Sequence, residues 1–246
     1  MAESKIIPRD KLDELVRRLR DAAATNLQSV ILYGSAVTGD FDPQYSDLNL
    51  LCVLRASSFA ALEQIAPAVA WWHKQKQRPP LIMTREELER SADVFSIEFT
   101  DMRAHYNVLF GDDVLQPLHI PLDFHRAQVE YELREKLILL RQSLILAGGK
   151  EDQLWQILTR ALPSFATLFR HALIATGERA PDSKRDSISI LADRFRFDPE
   201  VFQQVLDIRE HKRQAKTQNV RDIAARYLAA VEHVTAAVDL SLDSAS

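Results

Sequence analysis

The stretch that decides the fold covers residues 29–54 and reads SVILYGSAVTGDFDPQYSDLNLLCVL. It begins with a short apolar, β-branched run that stops at Gly34, which is typical of a buried strand. It ends with a nearly continuous apolar run from Leu48, the pattern of a central strand that is covered on both faces. The glycine, aspartate and proline residues between them predict a loop, with room for one helical turn after Ser35.

Polar groups stand at the adjoining ends of these two predicted strands. The first strand ends in Gly34-Ser35. Glycine has no Cβ, so backbone amides can approach a phosphate group closely there, and the serine hydroxyl adds a donor. Asp47 and Asn49 lie two positions apart, so both side chains leave the same face of the second strand. Two oxygen-bearing side chains beside a phosphate cradle predict a Mg²⁺ site.

The rest of the chain predicts an α/β layer followed by helices. The first half alternates helices and strands, with a third strand at residues 81–83, a capping box at 84–87 and a fourth strand at 94–99. After about residue 122 only long helical patterns with short links remain, which indicates an antiparallel bundle. We therefore expect an α/β (α+β) domain with a small mixed sheet over residues 1–122 and an all-α helical bundle domain over residues 123–246.

Composition excludes several classes of protein. The chain has 246 residues, of which 46% are hydrophobic and 27% charged, so it is not disordered, collagen-like or built on disulfides. Its single cysteine, Cys52, fits a reducing compartment. No apolar stretch approaches the ~20 residues of a membrane span, and we expect a cytoplasmic protein without membrane contact. Residues 1–122 carry 13 Lys and Arg against 17 Asp and Glu. This acidic balance makes nucleic acid an unexpected partner.

Gly34-Ser35, the loop and the strand that follows Asp47 resemble the DNA polymerase β-like nucleotidyltransferase superfamily. The small size and the trailing helices are most similar to its aminoglycoside and minimal nucleotidyltransferases. The resemblance implies two Mg²⁺ ions, held by three carboxylates, that bind the triphosphate of an NTP and activate an acceptor hydroxyl for attack on the α-phosphorus. It assigns Gly34 and Ser35 to nucleotide binding and Asp47 to metal binding and catalysis. It also allows a homodimer, since a second subunit often completes the cleft of a small two-domain transferase.

The resemblance calls for two further carboxylates, one at position 49 and one on a later strand. Residues 97–101 resemble the hydrophobic-acid-hydrophobic pattern of that strand, which makes Glu98 the expected catalytic and metal-binding acid, with Asp101 as the alternative. Position 49, however, is Asn49. An amide oxygen can ligate Mg²⁺ but brings no negative charge, so binding of the catalytic metal should suffer more than recognition of the nucleotide.

Three hypotheses about function follow. The first is a Mg²⁺-dependent nucleotidyltransferase that transfers a nucleoside monophosphate, with ATP as the expected donor, to a hydroxyl of a small molecule or protein. Asp40, Asp42 or Asp101 would then supply the missing carboxylate. The second is a catalytically impaired nucleotide-binding or regulatory protein of the same fold. The third places the function in the helices, where Arg226 and His233 match the loose spacing of HEPN ribonucleases.

Overall fold

The computed structural model of the protein describes residues 9–38 and 47–243. The chain divides into two compact units, Met1–Pro121 and Leu122–Ser246. Among the described helices, none combines the length and apolar character that crossing a bilayer requires.

Unit 1 is a layered arrangement of helices and a sheet. Its elements are α1 (Arg9–Ala23), β1 (Leu27–Tyr33), α2 (Ser35–Thr38), β2 (Asn49–Leu54), α3 (Phe59–Lys74), β3 (Leu81–Thr84), α4 (Arg85–Arg90), α5 (Ser96–Ala104) and β4 (Tyr106–Gly111). The strands form one sheet in the order β3-β2-β1-β4. β1 is antiparallel to β2 and β4, whereas β2 and β3 are parallel. The predicted small mixed sheet with flanking helices is therefore confirmed.

The two central strands are covered on both faces. On one face, Val30 and Cys52 belong to a buried cluster that includes Trp72 of α3. On the other, Ile31 and Leu51 belong to a cluster that includes Phe99 of α5. Because neither face of β1 or β2 meets water, both strands consist of nearly continuous apolar runs, as predicted.

The prediction of a strand over residues 94–99 is wrong, because this segment is a turn followed by the start of α5. Ser96, Phe99 and Met102 are buried at a spacing of three, which is helical. The rings of Phe95 and Phe99, four positions apart, lie edge to face with centroids 6.1 Å apart. The alternation that suggested a strand spans only six residues, whereas the helical spacing extends to Met102. The fourth strand is β4, whose side chains are half-buried or exposed at the edge of the sheet.

Unit 2 is helical over its described residues. Its helices are α6 (His125–Ala147), α7 (Glu151–Ala175), α8 (Lys184–Phe195), α9 (Glu200–Arg209) and α10 (Val220–Asp243). Its core contains an aromatic cluster in which Phe202 contacts both Phe169 and Tyr227, with ring centroids 5.1 and 4.5 Å apart. Gly148 ends α6 in the left-handed conformation, as a C-terminal glycine commonly does. The predicted all-α second half is confirmed.

Candidate functional site

The end of β1 and the start of β2 meet at one edge of the sheet. Tyr33, the last residue of β1, is the register partner of Asn49, the first residue of β2. Gly34 and Ser35 follow Tyr33 directly, and Asp47 precedes Asn49 by two positions. The antiparallel pairing therefore brings the expected nucleotide-binding and metal-binding residues to the same edge.

Gly34 occupies a position that other residues would strain. Its φ is +79°, and a Cβ added there would lie 3.1 Å from Nδ2 of Asn49. Its amide donates to the carbonyl of His105 at 3.3 Å, and its carbonyl accepts from the amide of Val37 at 2.9 Å. Since the Gly34 amide already serves the fold, Ser35 is the residue of this turn that we expect to reach a phosphate.

Asp47 carries an ion pair that the sequence patterns did not suggest. Arg78 Nε lies 2.7 Å from Asp47 Oδ2. The Arg78 side chain is 77% exposed and that of Asp47 is 38% exposed. Arg78 belongs to the connection between α3 and β3, residues 75–80, which we call the α3–β3 connection.

The α3–β3 connection is fastened to the core and to the start of β2. Trp72, which is fully buried, donates from Nε1 to the carbonyl of Arg78 at 2.9 Å. The amide of Leu48 donates to Oε1 of Gln77 at 3.3 Å. His73 Nδ1 lies 3.2 Å from the carbonyl of Gln77. The Arg78 backbone is therefore bound to Trp72 of α3, and its neighbour Gln77 is bound to Leu48, the residue after Asp47.

Glu98 lies on α5 and faces a separate cavity in unit 1. This cavity has a volume of about 930 Å³ and is lined by Tyr33, Met83, Glu98 and Phe99, among others. Neither Asp47 nor Asn49 belongs to its lining. Burial, and then the Glu98 carboxylate, raise the pKa of the Tyr33 hydroxyl above its usual value. Glu98 thus lines the same cavity as Tyr33 and interacts with it electrostatically, and Tyr33 pairs with Asn49 in the sheet.

The described residues at this edge do not supply the carboxylates that a site for two metal ions needs. Over residues 9–38 and 47–243, no three His, Cys, Asp or Glu side chains are grouped so that they could hold a metal. Asp47 is engaged with a guanidinium, and Asn49 brings no charge. β3, which lies beside β2, consists of Leu-Ile-Met-Thr and has no acid. Asp40 and Asp42, the expected substitutes in the loop, lie outside the described residues, and Asp101 lies on α5 with Glu98.

The residues of the ribonuclease hypothesis have structural partners within unit 2. Arg226 forms ion pairs with Asp198 and Asp222. His233 Nε2 hydrogen-bonds with the carbonyl of Phe195. These contacts join α10 to the end of α8 and to the link that follows it, which accounts for both side chains in the fold.

Comparison with known proteins points to one kind of domain. Residues 12–103 match the family model of the nucleotidyltransferase domain. The chain is also similar in structure to spectinomycin adenyltransferase AAD(9) from Enterococcus faecialis, solved with ATP and spectinomycin. The TM-score is 0.54 and the identity 16%, over 92% of this chain and 98% of that one. At this identity the likeness shows a shared fold. None of the curated proteins matches the sequence significantly. The predicted resemblance to nucleotidyltransferases is confirmed over residues 12–103, and the likeness to the spectinomycin adenyltransferase is one of fold.

Proposed function

We propose, from the premise that residues 12–103 form a nucleotidyltransferase domain, that the protein binds a nucleoside triphosphate at this edge without two-metal nucleotidyl transfer. The triphosphate would contact Ser35 beside the Gly34 turn. ATP is the expected nucleotide, because the structurally similar adenyltransferase was solved with ATP.

The ion pair between Asp47 and Arg78 carries this proposal. Two divalent cations can lie close together only where several carboxylates offset their mutual repulsion. At this edge Arg78 neutralises Asp47 and places a positive charge beside the oxygen that a metal would need. Asn49 adds no negative charge. A triphosphate anion, in contrast, is attracted to a guanidinium and to hydroxyl and amide donors.

Nucleotidyl transfer to a hydroxyl of a small molecule is the second candidate. The domain match favours it, and so does the fold shared with a spectinomycin adenyltransferase that was solved with ATP and spectinomycin. This function requires further carboxylates near Asp47, and Asp40 and Asp42 are the nearest in sequence. For Asp47 to bind a metal ion together with Asp40 or Asp42, its ion pair with Arg78 would have to break.

Binding and turnover measured on the same protein separate the two functions. Binding without transfer predicts that ATP raises the Tm, since a ligand of the folded state stabilises it. It also predicts no pyrophosphate release in Mg²⁺ and ATP, with or without spectinomycin or other hydroxyl acceptors. Mg²⁺-dependent pyrophosphate release that Asp47→Ala abolishes would overturn this proposal in favour of transfer. Absence of any Tm shift with any NTP would overturn both.

A further inference from the structure

We infer that Arg78 takes the place of the metal ions at this edge, so that the triphosphate binds through a guanidinium and without a divalent cation. This inference rests on the proposed nucleotide site and adds to it the group that neutralises the phosphates.

The Arg78 guanidinium has donors to spare for a ligand. A guanidinium carries five N–H donors in a planar fork, and a phosphate group can accept two of them side by side. The guanidinium forms an ion pair with Asp47 through Nε, and Asp47 is the ion-pair partner that the described residues provide for Arg78. Because the side chain is 77% exposed, the rest of the fork is open to an anion from solvent.

The position of Arg78 is built into the fold. Its carbonyl accepts from the buried Trp72 indole, and the neighbouring Gln77 side chain accepts from the backbone of Leu48 at the start of β2. The ion pair with Asp47 then fixes where the guanidinium lies. We therefore regard Asp47 as a positioning residue for Arg78. A carboxylate next to a triphosphate would otherwise repel it.

Asn49 is consistent with the same arrangement. Its Nδ2 lies beside Gly34, close enough that a Cβ at position 34 would be 3.1 Å away. An amide nitrogen donates hydrogen bonds, which suits a phosphate oxygen, whereas an aspartate here would repel the anion unless a metal bridged them. The pair Asp47–Arg78 is neutral in sum, and Asn49 is neutral by itself. Over residues 9–38 and 47–243, this edge therefore carries no net negative charge that would attract divalent cations.

The first experiment is calorimetric titration of ATP in EDTA and, separately, in Mg²⁺. The wild-type protein should bind ATP in EDTA about as tightly as in Mg²⁺. Arg78→Gln should weaken binding about tenfold or more in EDTA, because it removes a charge-assisted contact. The ATP affinity of Arg78→Lys should lie between those of the wild type and Arg78→Gln, since lysine keeps the charge but loses the planar set of donors. Arg90→Gln is the matched control, because Arg90 is similarly exposed, at 80%, and is also paired with one carboxylate, that of Glu86. It should leave ATP affinity unchanged.

A second variant tests Asp47 directly. If Asp47 only positions Arg78, Asp47→Asn should keep ATP binding in EDTA or strengthen it, because a repulsive charge is removed. This inference would be overturned if ATP binding required Mg²⁺, were lost in Asp47→Asn and were unaffected by Arg78→Gln. Such a result would still support a nucleotide site at this edge. No binding of ATP or another NTP under either condition would overturn the proposed site as well.

Discussion

Arg78 Nε lies 2.7 Å from Asp47 Oδ2, and the two residues are 31 positions apart in the sequence. The pair lies at the edge of the sheet where Tyr33 and Asn49 are register partners. A cation that belongs to the chain therefore stands beside the acid that the family resemblance assigns to a metal. The match to a nucleotidyltransferase domain and the shortage of carboxylates among the described residues of this edge are both explained if the protein binds a nucleotide, as we propose, without metal-dependent transfer.

An acid at position 49 should make ATP binding depend on Mg²⁺ only when Arg78 is also removed. In Asn49→Asp alone, the guanidinium still repels a divalent cation, so ATP binding should stay independent of Mg²⁺. In the double variant Asn49→Asp/Arg78→Gln, two carboxylates lie on one face and neither is paired with the Arg78 guanidinium. We expect ATP to bind this variant at least about tenfold more tightly in Mg²⁺ than in EDTA, because added ligand charge strengthens metal binding. Calorimetric titration measures both. Equal Mg²⁺ dependence in the single and double variants would contradict the role given to Arg78.

Gly34→Ala should weaken nucleotide binding as well as stability. Gly34 has a φ of +79°, which costs an alanine about 1 kcal/mol, and the new methyl would press on Asn49. Gly177 is the matched control, because its φ is +80° and nothing lies within 4 Å of an added Cβ. Both variants should lower the free energy of unfolding by a similar backbone strain. Only Gly34→Ala should reduce ATP affinity, and an equal reduction by Gly177→Ala would contradict a specific role of the Gly34 turn.

Much of the fold could be predicted because its signals are local. Each of the two central strands is a single apolar run, and Gly34 marks the turn that ends the first. The capping box at Thr84 and Glu87 is present as predicted, with hydrogen bonds in both directions. The strand prediction for part of α5 is wrong, because a six-residue alternation resembles a strand, whereas the helical spacing of Ser96, Phe99 and Met102 extends beyond it.

The site was less predictable than the fold, because its decisive contact is not local. Gly34, Ser35 and Asp47 form a recognisable spacing, whereas nothing near Arg78 in the sequence links it to Asp47. The available signal was a lone arginine between the end of a helix and Pro79-Pro80. A parallel β2–β3 pair places the residues just before β3 beside those just before β2. That topology depends on long-range pairing, which periodicity does not reveal.

Acid should destabilise unit 2 through a buried histidine pair. His125 Nε2 and His171 Nδ1 lie 3.1 Å apart, and both side chains are buried. Burial, and then the neighbouring His171, lower the pKa of His125 from 6.5 to about 4. The unfolded chain therefore takes up this proton near pH 6.5 and the folded chain does not. The free energy of unfolding should therefore be highest above pH 6.5 and fall by about 3 kcal/mol as the pH decreases towards 4.

Urea unfolding at a series of pH values between 7 and about 4 measures this dependence. His125→Gln should flatten the loss of stability over that range, because glutamine takes up no proton. An unchanged slope in the variant would show that other groups cause the acid sensitivity.

Tyr227→Phe should stabilise the protein. The Tyr227 side chain is fully buried among aromatic rings, and among the described residues its hydroxyl has no hydrogen-bond partner. Removing an unsatisfied buried hydroxyl is expected to raise the free energy of unfolding by about 1 kcal/mol. Tyr106→Phe is the matched control. It should lower the free energy of unfolding, because the Tyr106 hydroxyl donates to Asp113 Oδ2 at 2.7 Å. A clear loss of stability in Tyr227→Phe would mean that its hydroxyl is satisfied after all.

A crystal structure with Mg²⁺ and a non-hydrolysable ATP analogue would show whether Arg78 or metal ions neutralise the triphosphate. We expect a triphosphate beside Ser35 and Asn49, in contact with the guanidinium of Arg78, and no metal ion bound by Asp47. Two Mg²⁺ ions ligated by Asp47 and other carboxylates, with Arg78 turned away from the phosphates, would contradict it.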